Sequence, residues 1–455
     1  MKKIFSGLLL YICAVTLFAA EALPAKLEIL TERTSHIYKK GEKAKFLISV
    51  KDKEGKILAG KKIQCVISTE KDRKSQVLTS KDTPLELEVF SDVAGSCSVT
   101  GTVVDAAGKS VLDSRKRKIT AGSGAAFSLE EIFQGYPEEK DFDAFWDAKK
   151  KELAKVPMKV EYKDVDLKTW KKGTFKKYAG KIKVYDVKIS CVGKVPVTGY
   201  FAMPVNAKKG KLPAIIIYHP YGVRSASIPV QYGEKAIAFD VNANGLENGR
   251  EDSFYRNLAN GKLKHYFYFG NTDRETIYFK DMYLRALRAL EFMKSRPEWN
   301  KKDLIVTGYS QGGAQALAVA GLDKDVTLCI ATCPALCDLG GVWAGRRSGW
   351  IVPRHRLEKG KNGKCVTKDG DKIIKATSYI DNANFAKRIK GEVHFSSGDW
   401  DTVCPMASVY AAYKNVPGKK TFTILKNMGH WGVNPEGYAA LNKILNGQKN
   451  NEVKK

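Results

Sequence analysis

Apolar and polar residues alternate with a period of two in the N-terminal part of the chain. The alternation is clearest at residues 45–50, 63–67 and 97–103, and turn-forming sequences such as residues 52–55 separate the runs. A period of two places every second side chain on the same face of a strand. Short strands at this spacing predict an all-β, immunoglobulin-like sandwich over residues 25–120.

The pattern changes after residues 121–126, a stretch of glycine, serine and alanine that favours a short flexible linker. From residue 127 to 447, β-branched runs alternate with amphipathic helical segments, which predicts an α/β domain with a mostly parallel sheet and helices on both faces. The predicted strands are residues 184–191, 212–218, 236–241, 303–307, 328–332, 392–396 and 421–425, and the predicted helices include 141–156 and 278–296.

Both ends of the chain differ from the middle. Lys2 and Lys3 precede an apolar stretch at residues 4–18, and small residues follow at 19–22. This order predicts a secretory signal peptide over residues 1–22, because the apolar stretch is too short to span a membrane comfortably. We therefore expect an exported protein, periplasmic or secreted, without stable membrane insertion. The basic segment at residues 448–455 is predicted to be a disordered tail.

The chain has 455 residues and a formal net charge of +28, but its lysines are spread along the sequence and interleaved with acids. Aromatic and basic residues do not alternate as they do in nucleic-acid modules, so no nucleic-acid partner is expected. Eight cysteines remain after the predicted signal peptide. Cys65 and Cys97 are either bridged or core thiols. Cys329, Cys333 and Cys337 lie in an apolar segment and predict buried thiols, not a metal site.

One motif carries specific chemistry. The sequence Gly-Tyr-Ser-Gln-Gly at residues 308–312 follows a β-branched run and precedes a helical run of small residues. Strand, tight Gly-x-Ser-x-Gly turn and helix together form the nucleophile elbow of an α/β-hydrolase. The turn lifts the serine hydroxyl above the sheet edge, and the helix N-terminus favours negative charge that develops beside it. Ser310 is therefore the predicted nucleophile.

A serine nucleophile requires a base, and the histidine comes last in the chain order of this fold. His355, His394 and His430 follow Ser310. His355 lies in a basic, irregular stretch and His394 lies within a predicted strand. His430 lies in a loop between a strand and a final helix, where ligands bind at the carboxyl edge of such sheets. We predict His430 as the base.

The acid that orients the base should follow the strand before it. Asp399 and Asp401 both lie on the loop after residues 392–397, and the sequence favours Asp401 while Asp399 stays the alternative. The oxyanion hole requires two backbone N–H groups. One is that of Gln311, the residue after the nucleophile. The other is assigned to Tyr221, because Pro220 lacks an N–H.

Together these segments resemble the acetyl xylan esterase and cephalosporin C deacetylase family, the family 7 carbohydrate esterases. The resemblance spans about residues 142–445 and is carried by residues 281–292, 307–313, 378–386, 401–405 and 429–430. It implies Ser310, Asp401 and His430 as the catalytic triad and the N–H groups of Tyr221 and Gln311 as oxyanion donors. It implies no metal or organic cofactor. Family members without an added domain commonly form hexamers, and here the sandwich leaves the oligomeric state open.

The chain departs from that family at three places. The family usually has His-Gly-Tyr where residues 219–221 read His-Pro-Tyr, and Arg-Gly-Gln-Gly where residues 242–245 read Asn-Ala-Asn-Gly. A glutamate usually follows the catalytic histidine, and here the residue is Trp431. These departures leave the predicted triad intact and affect the expected details of the pocket.

The sequence thus predicts an exported serine esterase that removes acetyl groups from acetylated, xylan-like oligo- or polysaccharides through an acyl-enzyme. One alternative is another short-chain carboxylesterase or a peptidase of the same fold. The alternative from a different class is a non-catalytic glycan-binding protein. Because the sandwich supplies no triad residue and a linker is predicted to separate it, a chain starting near Phe127 is expected to keep its rate on small esters.

Overall fold

A computed structural model describes residues 23–347, 349–351, 360 and 364–452, apart from the side chains of Lys172 and residues 448–452. The predicted signal peptide at 1–22 and His355 lie outside the described residues. The N-terminal part is a sandwich of two sheets. The three-stranded sheet runs in the order β1 (Lys26–Thr31), β3 (Lys43–Lys51) and β6 (Leu85–Phe90), and the five-stranded sheet in the order β2 (Ile37–Tyr38), β8 (Thr120–Phe127), β7 (Gly95–Val104), β4 (Lys62–Ser68) and β5 (Arg73–Thr79).

The two sheets share one apolar core, as the alternating sequence pattern predicts. Phe46 and Ile48 from the smaller sheet pack with Val99 from the larger one, and all three are essentially inaccessible to solvent. Cys65 and Cys97 belong to the same core and are free thiols, so the second of the two readings of this pair is the right one. Burial raises the pKa of Cys65 to about 11 and that of Cys97 to about 12.

The predicted linker at residues 121–126 is wrong, because these residues form most of β8. This strand pairs with β7 on one side and with β2 on the other, so the sandwich extends to Phe127. Its glycines serve close packing and not flexibility. A Cβ atom on Gly124 would lie 1.8 Å from the carbonyl oxygen of Asp399, and one on Gly122 would lie 2.6 Å from the Trp400 ring.

The described part of the C-terminal domain contains one large sheet, which confirms the predicted α/β class. Its nine strands run in the order β17 (Lys420–Leu425), β16 (Glu392–Gly398), β15 (Leu328–Thr332), β14 (Trp299–Tyr309), β12 (Leu212–Tyr218), β13 (Ile237–Val241), β11 (Val197–Pro204), β10 (Ile182–Ile189) and β9 (Val160–Asp164). The strands from β17 to β13 are parallel to one another, and β11, β10 and β9 continue the sheet in antiparallel pairs.

Helices cover both faces of this sheet. Among the described residues, the α-helices are α1 (Phe142–Ala154), α2 (Asp252–Asn260), α3 (Tyr278–Ser295), α4 (Gln311–Leu322), α5 (Gly370–Ser378), α6 (Asn382–Ala386), α7 (Met406–Asn415) and α8 (Pro435–Glu452), and short 3₁₀ turns occur at Leu129–Glu131, Trp170–Gly173, Lys176–Tyr178, Tyr266–Tyr268 and Gly341–Ala344. Neighbouring residues of β12 show the two covered faces. Ile216 packs with α3 and α4, whereas Ile215 packs with Leu441 of α8.

The chain end also differs from its prediction. α8 continues to Glu452, so its backbone is helical through the first residues of the predicted tail at 448–455. Among the described residues, no helix is both long enough and apolar enough to cross a lipid bilayer. The carboxyl ends of β14, β16 and β17 lie at one edge of the sheet, and the loops that follow them carry Ser310, Asp401 and His430.

Candidate active site

Ser310 lies at the turn between β14 and α4 with φ 55° and ψ −121°. A positive φ is uncommon for a residue with a side chain, and such strain is often stored at functional sites. The flanking glycines make the turn sterically feasible. A Cβ atom on Gly308 would lie 2.2 Å from the carbonyl of Gly312, and one on Gly312 would lie 2.0 Å from the carbonyl oxygen of Tyr218. The Gly-x-Ser-x-Gly spacing is therefore required by backbone packing.

The structure brings Ser310, His430 and Asp401 into one hydrogen-bonded row. The Nε2 atom of His430 lies 2.8 Å from Ser310 Oγ, and its Nδ1 atom lies 2.7 Å from Asp401 Oδ2. Because an ionised carboxylate only accepts, Nδ1 carries the hydrogen and Nε2 is left to accept the serine proton. The other carboxylate oxygen, Oδ1, accepts the N–H groups of Val403 and Cys404 at 2.8 Å each, which fixes the carboxylate.

The other described histidine considered after Ser310 is remote from this row. His394 is buried within β16, where Nδ1 contacts Thr421 Oγ1 at 2.8 Å and Nε2 lies 3.0 Å from Glu392. Burial lowers the pKa of His394 below its usual value, and the neighbouring Glu392 opposes that shift only in part. The structure therefore separates His394 from Ser310.

Asp399, the alternative acid, has a different set of partners. Its carboxylate accepts the backbone N–H groups of Asn427 and Met428 at 2.9 and 3.2 Å. Those two residues lead directly into His430. Asp399 thus ties the loop after β16 to the loop after β17, and the carboxylate that contacts the imidazole is that of Asp401.

Tyr266 contacts both Tyr221 and Gln311, the two predicted oxyanion donors. The hydroxyl of Tyr266 donates to Gln311 Oε1 at 2.6 Å, and its ring stacks on Tyr221 with centroids 5.6 Å apart. Gln315 of α4 donates through Nε2 to the carbonyl of His219 at 3.0 Å, which ties the loop after β12 to the helix that carries Gln311. Gln311 directly follows Ser310 in the chain, and the contact of Gln315 with His219 holds the loop that carries Tyr221 against the same helix.

Residues in and near the segments that depart from the family pattern support this loop. His219 is buried and its Nε2 lies 3.1 Å from Asp240 at the end of β13. Asn244 donates from Nδ2 to the carbonyl of Gly222 at 3.0 Å and accepts at Oδ1 from the hydroxyl of Tyr278 at 2.7 Å. The Asn-Ala-Asn-Gly segment therefore fixes the backbone beside Tyr221. Trp431 is more than half exposed.

Sequence reasoning missed the part of the sandwich that touches the site. The Nδ1 atom of His36 lies 2.8 Å from Asp399 Oδ2 and 3.1 Å from the carbonyl of Gly124, and His36 and Asp399 are both nearly inaccessible. Both partners of Nδ1 only accept, so this atom donates. Ser123 Oγ also donates to Asn427 Oδ1 at 2.9 Å. His36 lies in a polar turn with no motif around it, so the sequence carried no signal for this role.

A second buried contact joins the two domains. Glu70 of the sandwich is inaccessible to solvent, and one of its carboxylate oxygens accepts the N–H of Ser96 at 2.8 Å while the other accepts the N–H of Arg347 at 2.8 Å. Apolar packing adds to it, because Ala126 and Leu129 share a cluster with Met406 of α7.

The premise that the sandwich is separate from the loops that carry the predicted triad is wrong. We now expect a chain starting near Phe127, which lacks nearly all of β8, to lose its activity on small esters.

His36→Ala tests this dependence without deleting a domain. Removal of the imidazole leaves a buried carboxylate with one donor fewer, so we expect unfolding free energy to fall by about 1–3 kcal/mol. The rate constant kcat for 4-nitrophenyl acetate should fall as well, because Asp399 positions the loop of His430. His36→Asn is the matched control, since its Nδ2 atom replaces the donor and asparagine tolerates the positive φ of 59°. Equal losses in both variants would contradict the role of the hydrogen bond.

Fold and site together define the class of this protein. A mostly parallel sheet, a serine on a strained strand-to-helix turn and a histidine bonded to it are the features of an α/β-hydrolase.

The comparisons then identify the family. The sequence profile described as acetyl xylan esterase (AXE1) matches residues 125–445. Acetyl esterase Axe7A of Xylanibacter ruminicola is 30% identical over 322 residues, which cover 68% of this chain and 68% of that protein. The solved structure of an acetyl xylan esterase from Paenibacillus sp. R4 has a TM-score of 0.56 and 27% identity, and the match covers 70% of this chain and 97% of that one.

Acetyl xylan esterase 1 from Thermoanaerobacterium sp. JW/SL YS485 shares the fold, with a TM-score of 0.54 and 24% identity over 70% of this chain and 97% of that one. The chain belongs to the acetyl xylan esterase family and is a carboxylic ester hydrolase.

Proposed function

We propose that the protein removes acetyl groups from acetylated, xylan-like oligo- or polysaccharides through a serine-linked acetyl-enzyme. The observation that carries the proposal is the row of hydrogen bonds from Ser310 Oγ through both nitrogens of His430 to Asp401 Oδ2, at 2.8 and 2.7 Å. Membership of the acetyl xylan esterase family supports the acetyl ester of a carbohydrate as the substrate class.

The proposed reaction begins with the proton of Ser310. His430 Nε2 accepts this proton while Oγ attacks the ester carbonyl, and Asp401 stabilises the imidazolium that forms. The tetrahedral intermediate collapses, His430 returns the proton to the departing sugar oxygen, and the acetyl group stays on Ser310. A water molecule then loses its proton to His430 and attacks the acetyl carbon, which releases acetate and restores the serine.

The oxyanion is stabilised by preorganised donors in this proposal. The N–H groups of Gln311 and Tyr221 donate to the carbonyl oxygen as it gains negative charge. Gln311 is also the first residue of α4, whose N-terminus carries partial positive charge. Donors that are already in position require no rearrangement at the transition state, which is why they lower the barrier.

Export belongs to the same proposal. The basic residues, apolar stretch and small residues of segment 1–22 support cleavage of a signal peptide, and a polysaccharide substrate would be met outside the cytoplasm. Mass determination of the N-terminus of protein recovered from outside the cytoplasm tests this part, and an intact N-terminus would contradict it.

The experiment that tests the proposed function measures acetate released from a panel of acetylated glycans, with acetylated xylan among them. Labelling by a fluorophosphonate probe is measured in parallel, with Ser310→Ala as the control that should not label. Release of acetate together with labelling supports the proposal. Labelling without acetate release from any glycan would indicate another esterase or a peptidase, and binding of glycans without labelling would indicate a non-catalytic protein.

The rate is expected to rise with pH through a single ionisation. His430 must be neutral at Nε2 to accept the proton of Ser310. The rate of the chemical step on 4-nitrophenyl acetate should therefore fall when a lowered pH protonates the imidazole. Single-turnover measurement isolates that step from product release. A flat profile would contradict the role of His430 as the base.

A further inference from the structure

A cleft of about 940 Å³ lies between the five-stranded sheet of the sandwich and the catalytic loops. Pockets that hold a drug-sized ligand span about 300–1,000 Å³, so this cleft is far larger than an acetyl group requires. Its walls come from both domains. The sandwich provides Thr100, Thr102 and Thr120, and the hydrolase domain provides Trp350 and Trp400.

The sandwich wall follows from the register of its strands. Core residues of β4 and β7 occupy one face, so the alternate residues face outward, and directly paired residues share a face. Three outward pairs lie side by side on β7 and β8: Ser98 with Gly124, Thr100 with Gly122, and Thr102 with Thr120.

These pairs differ in what covers them. Gly124 packs against Asp399 and Gly122 against the Trp400 ring. The pair Thr102 and Thr120 lies farthest from that contact and lines the cleft. At one end, the five-stranded sheet therefore packs against the loop that carries Asp399 and Trp400. At the other end, Thr102 and Thr120 present their hydroxyl groups to the cleft.

The opposite wall is joined to the proposed active site. Trp400 and Thr402 line the cleft and flank Asp401 in the chain. The N–H of Trp350 donates to the carbonyl of Val403 at 3.2 Å, and its ring lies 5.3 Å from that of Tyr221, the proposed oxyanion donor. A molecule in the cleft would therefore lie alongside the elements that hold the triad and the oxyanion hole.

We infer that this cleft binds the sugar chain on either side of the acetylated residue, so that the sandwich is part of the substrate site. The inference rests on the proposed function. Hydroxyl groups of threonine both donate and accept, as sugar hydroxyls do, and aromatic rings offer apolar faces to the C–H faces of a pyranose. Arg73, which also lines the cleft, adds a fork of N–H donors.

The test compares a long acetylated xylo-oligosaccharide with acetylated xylobiose. The wild-type enzyme should have the higher kcat/KM on the long substrate, because only that substrate reaches along the cleft. Thr102→Trp fills the cleft, and we expect it to lower the ratio of the two kcat/KM values by about tenfold, the loss of a contact worth roughly 1.4 kcal/mol. Thr83→Trp, on an exposed turn of the sandwich outside the cleft, is the matched control and should keep the ratio.

A second variant covers the case in which Thr102→Trp fails to fold. Arg73→Ala adds no bulk, and it should lower the same ratio by about threefold, while Arg115→Ala, an exposed arginine outside the cleft, should not. A wild-type preference for the long substrate that survives in the folded cleft variants would overturn the cleft assignment alone. Cleavage of 4-nitrophenyl acetate without cleavage of either acetylated sugar would overturn the proposed function and the cleft assignment with it.

Discussion

Ser310→Ala should reduce kcat for ester cleavage by a factor on the order of 10⁶, the size of the loss when a serine triad is broken. The hydroxyl is the atom that attacks, and within the described residues its side-chain partner is His430. The variant should remain folded, because alanine adds no atoms and the turn keeps the same backbone. Thermal unfolding and kcat on 4-nitrophenyl acetate are the two measurements.

Ser114→Ala is the control for this substitution, since Ser114 lies on an exposed turn of the sandwich. It should keep the wild-type rate. His430→Ala should match Ser310→Ala, because the two residues act as one unit. If folded Ser310→Ala kept even a tenth of the wild-type rate, the proposed acyl-enzyme would be wrong.

Asp401→Asn is expected to reduce kcat by about 10³–10⁴ through loss of the correct histidine tautomer. In the wild-type enzyme Oδ2 accepts from Nδ1 of His430, which leaves Nε2 free to accept the serine proton. An asparagine amide can place an N–H group at that position, and Nδ1 would then have to accept. The hydrogen would move to Nε2, where it blocks proton transfer from Ser310. The amide oxygen can still accept from Val403 and Cys404, so the loop should hold its shape.

Asp399→Asn provides the comparison on the same loop. The amide keeps one oxygen, which can accept from His36 and Asn427, while its NH₂ group replaces the oxygen that accepts from Met428. Because this side chain does not touch His430, its catalytic cost should be smaller than that of Asp401→Asn. Measurement of kcat for both variants on one substrate ranks them directly. The reverse ranking would assign the orienting acid to Asp399.

Much of the fold could be predicted from the sequence because the patterns that indicate it lie within short segments of the chain. A period of two in β3, β4 and β7 and a helical period in α3 arise from burial of one side of each element, and each can be read within a short window. The turn at Ser310 has a local signal as well, because Gly308 meets the backbone of Gly312 within the same turn, whereas Gly312 meets the backbone of Tyr218 in β12. Fixed chain order in this fold limited the base to the histidines that follow Ser310, and the position of His430 in a loop between a strand and a helix then selected it.

The limits of prediction show most clearly in β8. Glycine, serine and alanine are typical of a flexible linker, and they are equally suited to a strand that other backbone must approach closely. The pairing of β8 with β7 and β2, and the position of Asp399 and Trp400 against Gly124 and Gly122, distinguish the two cases. Asp399 and Trp400 lie far along the chain, so no local window contains them.

The sequence by itself determined the two folds in the chain and predicted Ser310 as nucleophile, His430 as base and Asp401 as the preferred acid, because each depends on neighbours in the chain or on fixed chain order. Tertiary structure alone decided that the sandwich contacts the loop that carries Asp399 and Asp401. His36 donates to Asp399 across a separation of 363 residues, and both side chains are buried by that contact. A hydrogen bond of this kind depends on how the two domains pack together. The residues around His36 and around Asp399 in the sequence do not indicate that the two side chains are partners.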